Sequence, residues 1–512
     1  TLGYHGTGTF YVEYANIGNE AMPTPLLVLE SADPDGQERP FLTLDRSRLV
    51  AGFWTSAMPA GFANSVQFVA LGQTPGVLQP GESGRVPVYY AGMQQPWDFS
   101  DRRFEFQVGV LAETSLIIAD WASLKDQMQP DYVQADAWNA VWSNFTSQVG
   151  TTWGGYLAAL NDNAVFLDRL GASTTEIIRL LSFELRQADA LNPIRYLAAG
   201  TDAAATAPGM DLVFSRAYAQ PISRRYEIGP LGRGWAHNWQ FSLAREPDGT
   251  VEITDMTGTP RIFQPDSRHA GQYFAAPGDH GVLTVVSGGA YNLRETDGTN
   301  YRFRSDGLLD YVQDTNGNRI TCAYAGGLLT ALTHSSGQSI TLTYNAAGRI
   351  ASVTDADGRQ TVYTYDAANE HLLSVEGYDG RVTSYSYITG QGITREHALS
   401  QIAYPGGTHR YYTYDAHGRL ASTSLDGGAE MVVFAYDDTG LVTATDALGN
   451  ASQFFFDDWG TILKGTNALG NSVLLTLDNE RNLRSVTDPA GHSYLFEYDS
   501  KDNLTKCRDA LG

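Results

Sequence analysis

Carboxylates and imidazoles are where chemistry would have to begin in this chain. Aspartate recurs in the form D-x-D-G at Asp33-Pro34-Asp35-Gly36 and Asp355-Ala356-Asp357-Gly358, the opening half of a calcium loop. A complete loop needs further oxygen ligands and a distal bidentate glutamate at fixed spacing, and neither stretch supplies one in place. Asp and Gly are also the residues of hairpin turns, so turn chemistry accounts for both stretches without an ion. The ten histidines are scattered, with no H-E-x-x-H, H-x-H or Cys/His spacing, which gives zinc no ligand set. His237 has the most distinctive setting, inside Gly234-Trp235-Ala236-His237-Asn238-Trp239. It reads either as a polar hub or, more simply, as a hydrogen-bonded structural histidine between Trp235 and Trp239. Gly229 to Gly234 is glycine-rich but lacks a P-loop lysine and is not a G-x-G-x-x-G after a strand. Carboxylate pairs for glycoside hydrolysis cannot be singled out, because geometry decides that case. No residue is therefore assigned to catalysis, to a cofactor or to a metal, and a non-enzymatic role is expected.

The elements that would position any site are easier to read. Taking the residue in the Tyr365 slot as a ruler, the landmarks are Phe303, Tyr324, Tyr344, Tyr365, Tyr387, Tyr414, Tyr436, Phe456, Leu477 and Tyr498. Successive steps are 21, 20, 21, 22, 27, 22, 20, 21 and 21 residues, a period that marks a repeat architecture. Aspartate follows the landmark at Asp366, Asp415, Asp437 and Asp499. Each period holds two turn signals and two runs of strand length, with aromatic residues alternating with polar ones. Each period is thus predicted to be a β-hairpin. Successive hairpins pair edge to edge into an antiparallel ribbon that shares a buried aromatic layer. The 27-residue step falls on Ile388 to His397 and reads as an enlarged loop.

The units Tyr411 to Leu420 (YYTYDAHGRL), Val433 to Val442 (VFAYDDTGLV) and Tyr494 to Leu504 (YLFEYDSKDNL) resemble the YD-repeat, or Rhs, family of bacteria. The stretch Phe214 to Leu243, with S-R-x-Y and G-P-x-G-x-G-W-x-H-N-W signatures, resembles the lead-in that precedes such repeats, which singles out Trp235, His237 and Trp239. The resemblance covers about Gly209 to Gly512. It implies a β-ribbon that spirals into a hollow shell, which in toxin members encloses a C-terminal cargo. Toxin members carry a self-cleaving aspartyl segment after the array; the sequence is still repeating at Gly512, so no residue takes that role.

Bulk properties set the outer limits. A chain of 512 residues is too long for one core. A formal charge of −23 argues against nucleic acid or an anionic membrane surface as partner. Cys322 and Cys507, far apart, are the only cysteines, which excludes a disulfide framework and indicates no metal cluster or redox pair. No apolar run approaches the length of a membrane span. With 28 Tyr and 53 Gly, the composition suits a turn-rich β protein. The start at Thr1-Leu2-Gly3 and the stop within Asp509 to Gly512 read as cuts in a longer protein.

Residues 1–113 alternate short strand patterns with turn clusters and predict a β-sandwich; the phrase from Val12 to Ser31 resembles Ig-like, CARDB-type adhesion modules. Residues 114–198 change period. Trp138, Val141, Trp142 and Phe145, then Trp153, Tyr156, Leu157 and Leu160, make two helical stripes. Ser173-Thr174-Thr175-Glu176 has the capping-box form for a third helix carrying Ile177, Ile178, Leu181 and Leu185. A three-helix bundle is expected, then an Ala-rich linker at 199–209, a β lead-in or plug at 210–302 and the repeat array at 303–512. The fold class is mainly β with a small helical insert. The functional expectation is a secreted or cell-surface scaffold that encloses or presents its own C-terminal cargo. An adhesin or extracellular filament component, binding carbohydrate or neighbouring cells, is the alternative.

Overall fold

The computed structural model describes residues 2–510 apart from 4–5, 32–40, 45, 47–61, 71, 75, 92–102, 131, 173–175, 247–248, 267–268, 277, 479 and 500–501. The turn at Asp33 to Gly36 and the capping-box residues Ser173 to Thr175 lie outside the described residues. Twenty-two strands, from Val282–Val286 to Leu504–Arg508, form one antiparallel sheet in strict chain order. The ribbon begins at Val282, earlier than the Phe303 expected from the landmarks, because the first two strands pair in the same way without carrying the marker residue.

Local chemistry explains the hairpins. In the turn after Thr354, Asp355 Oδ1 accepts from the backbone N–H of Asp357 at 2.9 Å and of Arg359 at 3.0 Å, and its Oδ2 accepts from Arg359 Nε at 2.7 Å. Asp415 makes the same three bonds with His417 and Arg419. These carboxylates close the turns, as short polar side chains do. At the open end of six hairpins the marker tyrosine donates back to a carbonyl at the hairpin's start. Tyr344 reaches Leu329, Tyr365 reaches Ile350, Tyr387 reaches Leu372 and Tyr414 reaches Leu399, each at 2.7 Å. Tyr436 and Tyr498 do so at 2.8 and 3.0 Å. Phe456 fills its slot without a hydroxyl. Immediately before the marker the ladder slips by one residue, as at Thr343/Tyr344, Thr364/Tyr365, Ser386/Tyr387 and Thr413/Tyr414. A bulge bends and twists a sheet; one stands before nine of the ten markers, Tyr436 being the exception, always on the same side, and together they curl the ribbon.

The curl closes. Asp502 Oδ2 lies 3.6 Å from His280 Nδ1, and a Cβ on Gly278 would stand 2.7 Å from Arg481 Cγ. The turn before the first ribbon strand thus meets turns near the last. Nineteen strands separate Gly278 from Arg481, about 90 Å of ribbon and hence a ring about 30 Å across at the backbone.

Ahead of the ribbon, two three-stranded antiparallel sheets at 7–111 face each other across Val12, Val88, Tyr90, Leu27, Leu29 and Phe68. Four helices follow rather than three: Trp121–Met128, Ala135–Val149, Trp153–Arg169 and Ile177–Ala188. The first is short, with Trp121, Leu124 and Met128 on its inner side, and Trp121 packs edge-on against Trp142, Phe145 and Tyr156. The expected linker at 199–209 is instead the greater part of a strand. Tyr196–Ala205 pairs with Leu212–Ala219, because small alanines let this strand lie close to the ribbon, a use of Ala-rich sequence that looks like a linker when read locally. A four-stranded sheet at Ser242–Ala275 then leads into the ribbon. Helices, lead-in strands and ribbon share one continuous core.

Candidate functional site at the lead-in face of the ribbon

Three consecutive repeats carry a second tyrosine two residues before the marker: Tyr363, Tyr385 and Tyr412. All three are buried against the lead-in strands. Tyr363 donates to Asp202 Oδ2 at 2.6 Å, Arg216 Nη2 donates to the Tyr385 hydroxyl at 2.9 Å, and Tyr412 donates to the Leu197 carbonyl. Asp202 and Arg216 form a salt bridge with side chains only 4% and 5% exposed. Thr361 Oγ1 adds a bond of 2.9 Å to the Asp202 carbonyl. A buried ion pair is favourable only when its remaining polar atoms are satisfied; the tyrosine hydroxyls do that for Asp202 Oδ2 and Arg216 Nη2, while Arg216 Nε is left without a partner. Burial pushes the Tyr363 and Tyr412 hydroxyls above their ordinary value, so both stay protonated as donors. Beside this network lies a cavity of about 510 Å³ whose wall includes Tyr196, Arg216, Tyr378, Arg381, Tyr404 and Arg410. The arrangement offers aromatic faces and guanidinium groups; it can hold a segment of chain, and none of these groups forms a nucleophile–base pair.

The lead-in motif is structural in its contacts. Trp235 Nε1 donates to the Tyr387 hydroxyl at 2.8 Å, and its ring meets Tyr385 edge-on at 4.8 Å. Trp239 Nε1 donates to the Val213 carbonyl at 2.7 Å. His237 packs on Phe214 and its Nδ1 accepts from the Trp239 backbone N–H at 3.2 Å. Burial drives the His237 pKa down to about 3, leaving a neutral imidazole that accepts at Nδ1. The glycines of 229–234 serve close approach: at Gly234, with φ of 74°, a Cβ would stand 2.5 Å from the Tyr218 ring.

The enlarged loop at Ile388 to His397 is the second point of docking. Tyr218 donates to the His397 carbonyl and Tyr226 to that of Ile393, while Arg233 Nε donates to Glu370 Oε2 at 2.7 Å. The insertion is therefore where the lead-in grips the ribbon, a role its length alone did not disclose.

Of the marker residues, Tyr344, Tyr365, Tyr387, Tyr414 and Tyr436 line up along one face. Asp366, Asp415, Asp437 and Asp499 are each occupied in their own turns. Asp202, Arg216, Tyr363, Tyr385, Tyr412, His371 and His397 were not picked out from sequence. The available signal was Y-x-Y three times running, against F-x-Y, F-x-F or L-x-L in the repeats that follow. Among the described residues no three His, Cys, Asp or Glu side chains form a group that could hold a metal ion, and no helix is long and apolar enough to cross a membrane.

A ribbon of repeated hairpins, curled about its own lead-in strands, defines the class: a structural β-shell scaffold. Residues 294–446 match the family Teneurin YD-shell, and residues 195–263 match a domain of unknown function, DUF6531. Over these stretches the chain is similar to YD-repeat (Rhs) proteins. Among curated relatives, Probable deoxyribonuclease RhsB of Dickeya dadantii (strain 3937) is 27% identical over 261 residues, which is 49% of this chain and 17% of that protein. Double-stranded DNA deaminase toxin A of Burkholderia cenocepacia (strain H111) is 29% identical over 226 residues, 44% of this chain and 13% of that protein. The chain thus spans about a sixth or less of these relatives. Of solved structures, the crystal structure of TcdB2-TccC3-Cdc42 shares 12% identity with a TM-score of 0.26, covering 77% of this chain and 26% of that one. The Photorhabdus luminescens Tc holotoxin pore carrying TccC3-D651A shares 12% with a TM-score of 0.26, covering 72% and 25%.

Proposed function

We propose that this chain is the plugged end of a hollow β-shell in a secreted or cell-surface bacterial protein, and that the shell shelters a cargo belonging to the same protein. The observation that carries the reading is that the ribbon returns on itself around the lead-in strands. A bore about 30 Å wide takes little more than two packed layers, and the lead-in sheet and helices supply them at this end. At the other end the inner face runs out of partners: Tyr494, on the same face as the marker Tyr498, and Leu504, paired opposite that marker, are 40% and 55% exposed. The cargo part draws on the relatives. Proteins named for two different chemistries, a deoxyribonuclease and a DNA deaminase, each share a minor part of their length with this chain, which suits a common carrier with interchangeable contents.

Electron microscopy of the purified chain tests the architecture. End-on class averages should show a ring about 30 Å across at the wall, filled at one end and open at the other. A flat sheet, a string of separate beads, or a ring filled at both ends would overturn the proposal.

A further inference from the structure

The insertion is held from two sides, and one of the two holds titrates. From the lead-in, Tyr218, Tyr226 and Arg225 donate to the carbonyls of His397, Ile393 and Thr394. From the ribbon, Thr394 Oγ1 donates to the Ala416 carbonyl at 3.0 Å, and His397 Nδ1 meets His371 Nε2 at 3.0 Å. His371 Nδ1 in turn lies 2.9 Å from Asp366 Oδ2. Asp366 takes the hydrogen on His371 Nδ1, so a single hydrogen fits between the two rings. With both rings neutral, His397 donates it. With both rings protonated, N–H is set against N–H at that distance, and the contact becomes repulsive.

The other charged and titratable groups around the pair are accounted for. On the ribbon, Asp366 faces His371, and the Tyr387 ring lies tilted against it at 4.8 Å. Glu370 is paired with Arg233 of the lead-in, 2.7 Å away. Tyr226 stands edge-on to His397 at 5.0 Å, with Arg225 and Tyr218 beside it. Within the insertion, Glu396 Oε2 accepts from the Gly390 backbone at 2.7 Å and is turned to its own loop. Glu370 is the carboxylate that favours an imidazolium at His397, and burial together with Arg233 and His371 outweighs it.

We propose that Asp366, His371 and His397 form an acid-sensitive latch: acidification that places a proton on both rings breaks the contact, frees the insertion and loosens the hold of the lead-in on the ribbon. This inference concerns the docking alone and stands whether or not a cargo is carried. Burial, then Arg233 and His371, lower the His397 pKa from 6.5 to about 4. The closed state therefore binds fewer protons than the open one between these values. Closure is at full strength above the ordinary histidine range, weakens as pH falls through it, and levels off below about 4.

Hydrogen exchange on the full chain, corrected for intrinsic rates, tests this at about pH 7.5 and about pH 5. Peptides covering 388–398 should lose protection about 30-fold between the two conditions, while the strand Leu372–Glu376 keeps its protection. His397→Asn suits the positive φ of 63° at this position, presents an amide to His371 and has no proton to gain, so its acid response should vanish. Should that variant fold poorly at neutral pH, His371→Gln serves the same purpose. A wild-type loop indifferent to acid, or a variant that responds as the wild type does, would overturn the latch.

Discussion

Two tyrosines two residues apart do different work in this protein. The marker tyrosine closes its own hairpin by donating to a backbone carbonyl, whereas Tyr363, in the alternate slot, donates to the buried carboxylate of Asp202. Hydrogen bonds to charged partners contribute more than those between neutral groups. Tyr365→Phe should therefore lower the free energy of unfolding by about 1 kcal/mol, and Tyr363→Phe by about 2 kcal/mol, with urea denaturation as the measurement. Equal effects would show that the Asp202–Arg216 pair does not depend on its tyrosine.

At the scale of the hairpin, one rim of the ribbon carries most of the packing and the other is open at turns such as 355–358. Gly418 lies on the packed rim, with φ of 74°, and a Cβ there would fall 1.9 Å from the Thr394 carbonyl oxygen. Gly358 lies on the other rim with φ of 81° and nothing within 4 Å. Gly358→Ala should cost only the backbone strain, about 1 kcal/mol. Gly418→Ala adds a clash with backbone that must shift, and should cost at least about 3 kcal/mol or prevent folding. Thermal unfolding of the two variants separates these cases, and equal shifts would mean the rim contact yields freely. The same asymmetry places the lead-in and helices on one side, where Gly418, Gly440 and Gly460 meet Thr394, Phe183 and Leu191.

At the scale of the whole molecule, the helices are locked to the ribbon by a bidentate pair. Arg179 Nε and Nη2 lie 2.7 and 2.9 Å from the Asp458 carboxylate, which is only 3% exposed. Arg179→Met would leave that carboxylate buried and alone, a loss of about 3 kcal/mol. Limited proteolysis should then release the segment around 121–188 ahead of the ribbon. Adding Asp458→Leu should restore much of the docking, since an apolar pair replaces a buried ion pair at little cost. Failure of the double variant to recover would show that the helices are placed by the pair itself and not by the surrounding Phe166, Phe183 and Phe455 stack.

The ribbon was legible in the sequence because its signals are local: a turn closes on its own aspartate, a strand alternates within six residues, and a period repeats the result. Hairpins, their antiparallel order and the mainly β class follow from that alone. What the lead-in does was not legible, since Asp202 and Tyr363 are 161 residues apart and nothing near either one names the other. The strand at Tyr196–Ala205 looked like a linker because small residues suit both free chain and tight packing, and only a neighbouring surface tells them apart. The insertion looked like an idle loop for the same reason. Short-range chemistry fixed the repeating unit. The closing of the ring, the plug within it and the meeting of His371 with His397 depend on the curvature summed over many bulges, and that sum exists only in the folded molecule.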